Sequence, residues 1–261
     1  MGRGTERSAA SILRERLPVH PKSAEIVLRL LHRRDGDLTD LDRAIQMDPA
    51  LTAAVLRAAN SAHLGYSRRI AGVRHAMVLI GESLVASLAA SRVADLVFDE
   101  KPPVYVDWLW PHSVATACGA AVIAKRLGES SDEAYTIGLL HDIGWLLAAA
   151  NDESPDGNDA AYAMRGATLL SRWNAPDSVV AGVSRHHIRA NPVTTVAEQI
   201  IIAAHAFAAK LGAESPEPSV STVEALKLVG IDVRPSVIVN EIERELVMLT
   251  AGFTEPARYA S

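Results

Sequence analysis

The sequence predicts an all-α protein, and three observations carry that expectation. Ala is abundant while aromatic residues make up only 5% of the 261 residues, which suits helices packed through small side chains better than a sandwich of aromatic and β-branched strands. Apolar residues recur at spacings of three and four along most of the chain, with no competing strand alternation. Pro and Gly fall where these periodic stretches begin and end. With 49% hydrophobic and 22% charged residues, the chain has the balance of an ordinary globular protein with a real core.

Taken in order, residues 1–16 are polar and lack the apolar segment of a secretory signal. Leu17-Pro18-Val19-His20-Pro21 predicts an extended lead-in, because proline does not continue a helix. Ser23 is expected to cap a helix carrying Ile26, Val27, Leu30 and Leu31, ended by Arg33-Arg34-Asp35-Gly36, and Thr39 to cap a short second one. Asp48-Pro49 is a strong start signal for a helix running to about Asn60, with Leu51, Val55, Leu56 and Ala59 on one face. A basic loop containing Arg68, Arg69 and Gly72 precedes a helix with Val73, Met77 and Ile80, and Gly81 separates that helix from another near Ser83–Phe98.

Glu100-Lys101-Pro102-Pro103 reads as a boundary, dividing an N-terminal helical lobe at 17–100 from a second lobe at 101–212. Helices of the second lobe are expected to centre on 111–127, 132–150, 161–173, 176–187 and 193–211, with Pro111 and Pro176 at starts and Gly128 and Gly212 at stops. Residues 213–261 form a linker and a C-terminal helical extension, Glu214–Ser221 being polar and Pro-rich. In the extension, Val237, Ile238, Ile242, Leu246 and Leu249 make an apolar stripe that either packs back on the core or buries against a second subunit of a homodimer.

Composition also narrows the chemistry. No run reaches the roughly 18 apolar residues of a membrane span, and a single cysteine, Cys118, forms no internal disulfide, so a soluble protein of the reducing cytoplasm is expected. A net charge of −5 gives no global attraction to nucleic acid. A DNA-binding regulator, using the 48–60 helix with His63, Arg68, Arg69 and Arg74 against phosphates, ranks below a buried helix with a solvated basic loop. Neither a phosphate-binding Gly-x-x-x-x-Gly-Lys-Ser/Thr loop nor a Gly-x-Ser-x-Gly nucleophile elbow is present.

The polar residues that need explaining lie at His141-Asp142-Ile143-Gly144, directly after apolar Ile137-Gly138-Leu139-Leu140. An imidazole and a carboxylate that lose hydration together want partners, and a divalent cation satisfies both. For the isolated pair, a backbone hydrogen bond from His141 and a local ion pair from Asp142 explain as much. His112 follows Trp110-Pro111 at a helix start, and His186 and His187 end a helix whose Val179, Val180 and Val183 face inward, so either imidazole reaches the apolar side.

The order Trp110-Pro111-His112-Ser113, Gly138–Gly144, then Trp173-Asn174-Ala175-Pro176 with His186-His187, resembles the HDOD branch of the HD phosphohydrolase superfamily. Upstream, Leu17-Pro18, Asp48-Pro49-Ala50-Leu51-Thr52, Val55-Leu56-Arg57 and Asn60-Ser61-Ala62 agree in order, so the resemblance covers about residues 12–212. It implies a two-lobed helical bundle with an HD-type lobe at 101–212 and metal-ligand candidates at His112, His141, Asp142 and His186 or His187. The cofactor implied is one divalent cation, drawn from Mn, Fe, Mg, Ni and Zn. Three positions depart from catalytic relatives: Tyr162 stands where a His is expected, His205 where an Asp is expected, and Trp145 where a Lys often follows. Exchanging an anionic oxygen for an imidazole removes the easiest bridge between two cations, so a full two-metal centre is not expected. The resemblance therefore implies a non-catalytic bacterial signalling protein acting through a protein partner or a small ligand such as a nucleotide. The alternative is a weak metal-dependent phosphohydrolase of nucleotides or cyclic dinucleotides.

Overall fold

The computed structural model describes residues 17–32, 38–61, 69–98, 108–151, 153, 159–187, 194–212 and 218–251. Among these there is no strand. The expected terminus at 1–16, the Arg33–Gly36 stop, Ala62, His63, Arg68 and the Glu100–Pro103 boundary lie outside the described residues.

The N-terminal helices are α1 (Pro21–His32), α2 (Leu38–Gln46), α3 (Pro49–Ala59), α4 (Val73–Ile80) and α5 (Glu82–Phe98). The start of α1 corrects the expectation that Ser23 caps it. His20 takes that place, its Nδ1 accepting from the Lys22 amide at 3.2 Å, and Pro21 supplies a first residue with no amide to satisfy. Likewise, Thr39 falls inside the first turn of α2 rather than before it. The α3 start is as expected: Asp48 accepts from Ala50 and Leu51 at 2.9 and 3.0 Å, and its second oxygen accepts from the His20 amide at 2.9 Å, tying the lead-in to α3. Between α4 and α5, Gly81 with φ 76° turns the chain through 111°.

The second set comprises α6 (Leu109–Leu127), α7 (Ser131–Leu140), α8 (Ile143–Ala150), α9 (Asp159–Arg172), α10 (Asp177–Arg185), α11 (Val196–Lys210), α12 (Thr222–Leu228) and α13 (Pro235–Thr250). The single helix expected over 132–150 is two, broken at His141 and Asp142. Helix α6 is the hub, packed against α7, α11 and α13 and buried from Leu109 through most of its length. Small residues make the crossings close. A Cβ on Gly138 of α7 would stand 2.8 Å from the Ala117 Cα of α6, so only glycine allows that approach.

One apolar core runs from Leu17 to Leu246 and unites both lobes and the C-terminal helix. In α13 the buried members are Ile238, Ile242 and Leu246, packed on α6, so this part of the stripe is intramolecular. Val237, Val247 and Met248 stay exposed. Arg126 of α6 and Glu241 of α13 close the contact with paired bonds at 2.9 and 2.6 Å.

Between the lobes, α4 borrows its N-terminal cap. Gly72 offers no side chain, and the Val73 amide bonds to Thr136 Oγ1 at 2.8 Å while the Arg74 and His75 amides bond to the two oxygens of Asp132 at 3.1 Å each. Both acceptor residues belong to α7, whose Tyr135 also bonds the Gln46 carbonyl at the end of α2 at 2.8 Å. In α3, Pro49 to Ala53, Val55, Leu56 and Ala59 are buried, and the exposed Arg57 lies over the Trp173 ring at 4.9 Å. Arg69 and Arg74 bond to Ala175 and Gln46 in neighbouring segments.

Candidate metal centre

Two helix ends and two helix bodies meet at one buried point. At the end of α7, the His141 Nδ1 lies 2.6 Å from the Gly138 carbonyl, one of the last-turn acceptors that a helix leaves without an amide. At the end of α10, His186 repeats the device, its Nδ1 standing 2.8 Å from the Val183 carbonyl. In both, the carbonyl requires a proton on Nδ1, so a neutral ring turns its Nε2 lone pair inward. The chain break between α7 and α8 then places Asp142 beside His141, where an unbroken helix would send adjacent side chains in different directions.

The inward atoms crowd together. His141 Nε2 is 3.0 Å from His112 Nε2 of α6 and 3.0 Å from Asp142 Oδ2, and His112 Nε2 is 3.6 Å from the same oxygen. His186 Nε2 faces Asp142 Oδ1 at 3.2 Å. Lone pairs aimed at one another and at a carboxylate repel unless a proton or a cation lies among them. His112 Nδ1, Asp142 Oδ2 and His205 Nε2 have no hydrogen-bond partner, although each is buried. His112, His141 and Asp142, with His186 and His205, are at most 2% exposed. Two sets have ligand atoms within 4.8 Å of one another, His112 with His141 and His205, and His141 with Asp142 and His186.

The electrostatics favour the ligating protonation states. Burial, reinforced by repulsion from His141, lowers His112 to about 3, and burial with the neighbouring rings holds His205 well below the usual imidazole range. Burial also opposes the Asp142 carboxylate, but the His141 and His186 rings outweigh it and hold Asp142 well below its ordinary value. A neutral imidazole at His112 and at His205 and an ionised carboxylate at Asp142 are the forms a divalent cation requires.

The candidates sort by position. His112, His141, Asp142 and His186 converge as expected from the sequence. His187 sits at the rim, its Nε2 3.9 Å from Asp142 Oδ1, and burial lowers it to about 4. His205, read from the sequence as a departure, has its ring 4.9 Å from His112 and 5.5 Å from both His141 and His187, so it is a full member of the cluster. Tyr162 and Trp145 belong to neither ligand set. They stack on each other at 4.0 Å, with Trp108 edge-on to Trp145 at 5.7 Å and to His112 at 5.9 Å, and form an aromatic wall beside the site.

An all-helical unit that gathers histidines and an aspartate from four helices at one buried point is an HD-type domain, and residues 109–210 match the HD domain model. Residues 17–155, more than half of the chain, match the HDOD domain model, and the chain belongs to the HDOD family. An uncharacterized protein of Treponema pallidum (strain Nichols) is 27% identical over 211 residues, covering 70% of this chain and 40% of that protein. Ribonuclease Y of Opitutus terrae is 35% identical over 104 residues, covering 40% of this chain and 18% of the ribonuclease. The chain thus spans less than half the length of either relative. The MmoQ response regulator of Methylococcus capsulatus str. Bath shares the fold with a TM-score of 0.71 at 22% identity, covering 87% of this chain and 99% of that one. A virulence factor of Campylobacter jejuni does so at 0.64 and 15% identity, covering 95% and 98%.

Proposed function

We propose that this chain is a regulatory HDOD protein that acts by binding a signalling partner or a small ligand, and that its HD-type pocket holds one divalent cation without catalysing hydrolysis. The observation that carries the reading is the enclosure of the pocket. Metal-activated water attacks a phosphoester only when the phosphorus reaches the metal. Here every converging donor is at most 2% exposed, and Trp145 and Tyr162, 6% and 4% exposed, stand beside the cluster. Membership of the HDOD family and the fold shared with a response regulator support a role in signalling. No single helix among the described residues is long and apolar enough to cross a membrane.

The test is turnover. Metal-supplemented protein is expected to leave nucleotides, cyclic dinucleotides and generic phosphodiesters intact. Robust hydrolysis that disappears with Asp142→Ala would replace this reading with the second one, a metal-dependent phosphohydrolase. That second reading is favoured by the 104-residue similarity to ribonuclease Y, together with the convergence of His112, His141, Asp142 and His186.

A further inference from the structure

We propose that the cluster is a nitrogen-rich site for one transition-metal ion of the zinc class, with His205 among its ligands, and that the ion serves as a structural rivet between helices. The inference rests on the non-catalytic reading of this pocket and adds the class of metal, a further ligand and the role.

Size comes first. Donors about 2.0–2.1 Å from a common ion stand about 3.0 to 3.4 Å from one another, depending on coordination number. The separations among His112 Nε2, His141 Nε2 and Asp142 Oδ2 are 3.0, 3.0 and 3.6 Å, so these three atoms already bracket a sphere of that size. Two atoms of the surrounding cluster, His205 Nε2 and Asp142 Oδ2, are buried with no hydrogen-bond partner, a state that costs free energy in a dry interior and that a cation relieves.

Donor chemistry selects the ion. Imidazoles predominate among the donors: His112, His141 and His205 form one set, and His141 and His186 form another with the one carboxylate, Asp142. Mg²⁺ asks for oxygen donors and keeps several waters, and Mn²⁺ binds nitrogen sites most weakly in the first-row series, whereas imidazole suits Zn²⁺, Ni²⁺, Co²⁺ and Fe²⁺. A pocket this enclosed also has little room for the retained waters of Mg²⁺.

Position gives the role. His112 comes from α6, His141 and Asp142 from the α7–α8 break, His186 from the end of α10 and His205 from α11. An ion shared by these residues fixes four segments at one point and stabilises the folded chain by mass action, because the unfolded chain offers no such site.

The experiment uses the full chain, stripped with chelator and melted with Zn²⁺, Ni²⁺, Mn²⁺ or Mg²⁺, with metal content measured after dialysis. Zinc is expected to be retained at about one ion per chain, and Zn²⁺ and Ni²⁺ to raise the thermal midpoint where equal Mg²⁺ and Mn²⁺ do not. His205→Ala is expected to weaken zinc binding about tenfold or more. Equal stabilisation by Mg²⁺ and Zn²⁺, or unchanged zinc affinity in a folded His205→Ala protein, overturns the proposal. Should that variant fail to fold, wild-type protein loaded with Co²⁺ decides by proton NMR: hyperfine-shifted imidazole N–H signals are expected, and their absence overturns it. Hydrolysis lost with Asp142→Ala would sink the non-catalytic reading while leaving the zinc selectivity standing. An inert protein with no zinc response would do the reverse.

Discussion

Gly144→Ala should destabilise the protein strongly although alanine is the better helix former. Gly144 lies two residues after Asp142 in α8, where the helix meets α9. A Cβ there would stand 1.9 Å from the Tyr162 carbonyl oxygen, 2.7 Å from its carbon and 3.1 Å from the Gly166 nitrogen, all backbone atoms that no rotamer change moves. Relief requires α8 and α9 to part by more than an ångström, and overpacking of this kind costs about 3 kcal/mol. Helix propensity returns at most about 1 kcal/mol, so destabilisation wins. The net loss of about 2 kcal/mol corresponds, for a chain of this size, to a fall in thermal midpoint of roughly 4–8 °C. Gly119→Ala in α6 is the matched control. Its Cβ would meet Ile242 Cδ1 at 3.3 Å and Ala204 Cβ at 3.4 Å, close to ordinary contact, and propensity should leave that variant near or above the wild type. Calorimetry on the three proteins in chelator reads both effects without metal. A Gly144→Ala midpoint at or above the wild type, or equal losses in the two variants, would refute the close-approach argument.

Three further outcomes follow from the site and the caps. The metal-free protein should lose stability in acid: His112 and His187 are lowered in the folded state to about 3 and about 4, so below pH 6.5 the unfolded chain binds more protons. Stability is then full above pH 6.5 and falls toward pH 3, at about 1.4 kcal/mol per pH unit for each extra proton taken up on unfolding, and a flat profile of denaturation midpoints over pH 5–8 would contradict it. Asp48→Ala removes the acceptor for three amides, those of His20, Ala50 and Leu51, and should cost about 2 kcal/mol in urea unfolding. His205→Asp sets a second carboxylate in the cluster, so the variant should melt below the wild type in chelator and show the larger rise with Mn²⁺; an unchanged Mn²⁺ response would count against a shared site.

Legibility followed the range of the interactions. The Asp48-Pro49 start and the Gly81 turn were readable because a side chain or a backbone preference within a few residues decides them. The α7–α8 break was not, because Leu139, Leu140, Ile143 and Leu146 sustain an apolar pattern on both sides of it, and what fixes the break is the His141 ring bonding back to Gly138. Ser23 lost the cap of α1 to His20 because an imidazole nitrogen, rarely weighed as a cap, reached the Lys22 amide and Asp48 held the His20 backbone. At the site, His112, His141, Asp142 and His186 were legible through their resemblance to a known order of motifs. His205 was visible only as an exception to that order, since its place beside His112 arises from α11 packing on α6 far along the chain. For Tyr162, the stack on Trp145 gives the residue an occupation of its own in the aromatic wall.

The borrowed cap of α4 bears on how the two halves of this chain can be handled. Because Gly72 supplies no side chain and Thr136 and Asp132 of α7 hold the first three amides, α4 is a properly started helix only while α7 lies against it. Hydrogen exchange at Val73, Arg74 and His75 is therefore a built-in gauge of lobe docking, slow when the lobes are engaged and fast as soon as they part. A protein cut at the Pro102-Pro103 stretch would give an N-terminal piece whose fourth helix frays from its first turn. The halves that look like modules in the sequence are interdependent in the fold, and a ligand that shifts α7 at its His141 end presses on the same rod that holds α4 at the other.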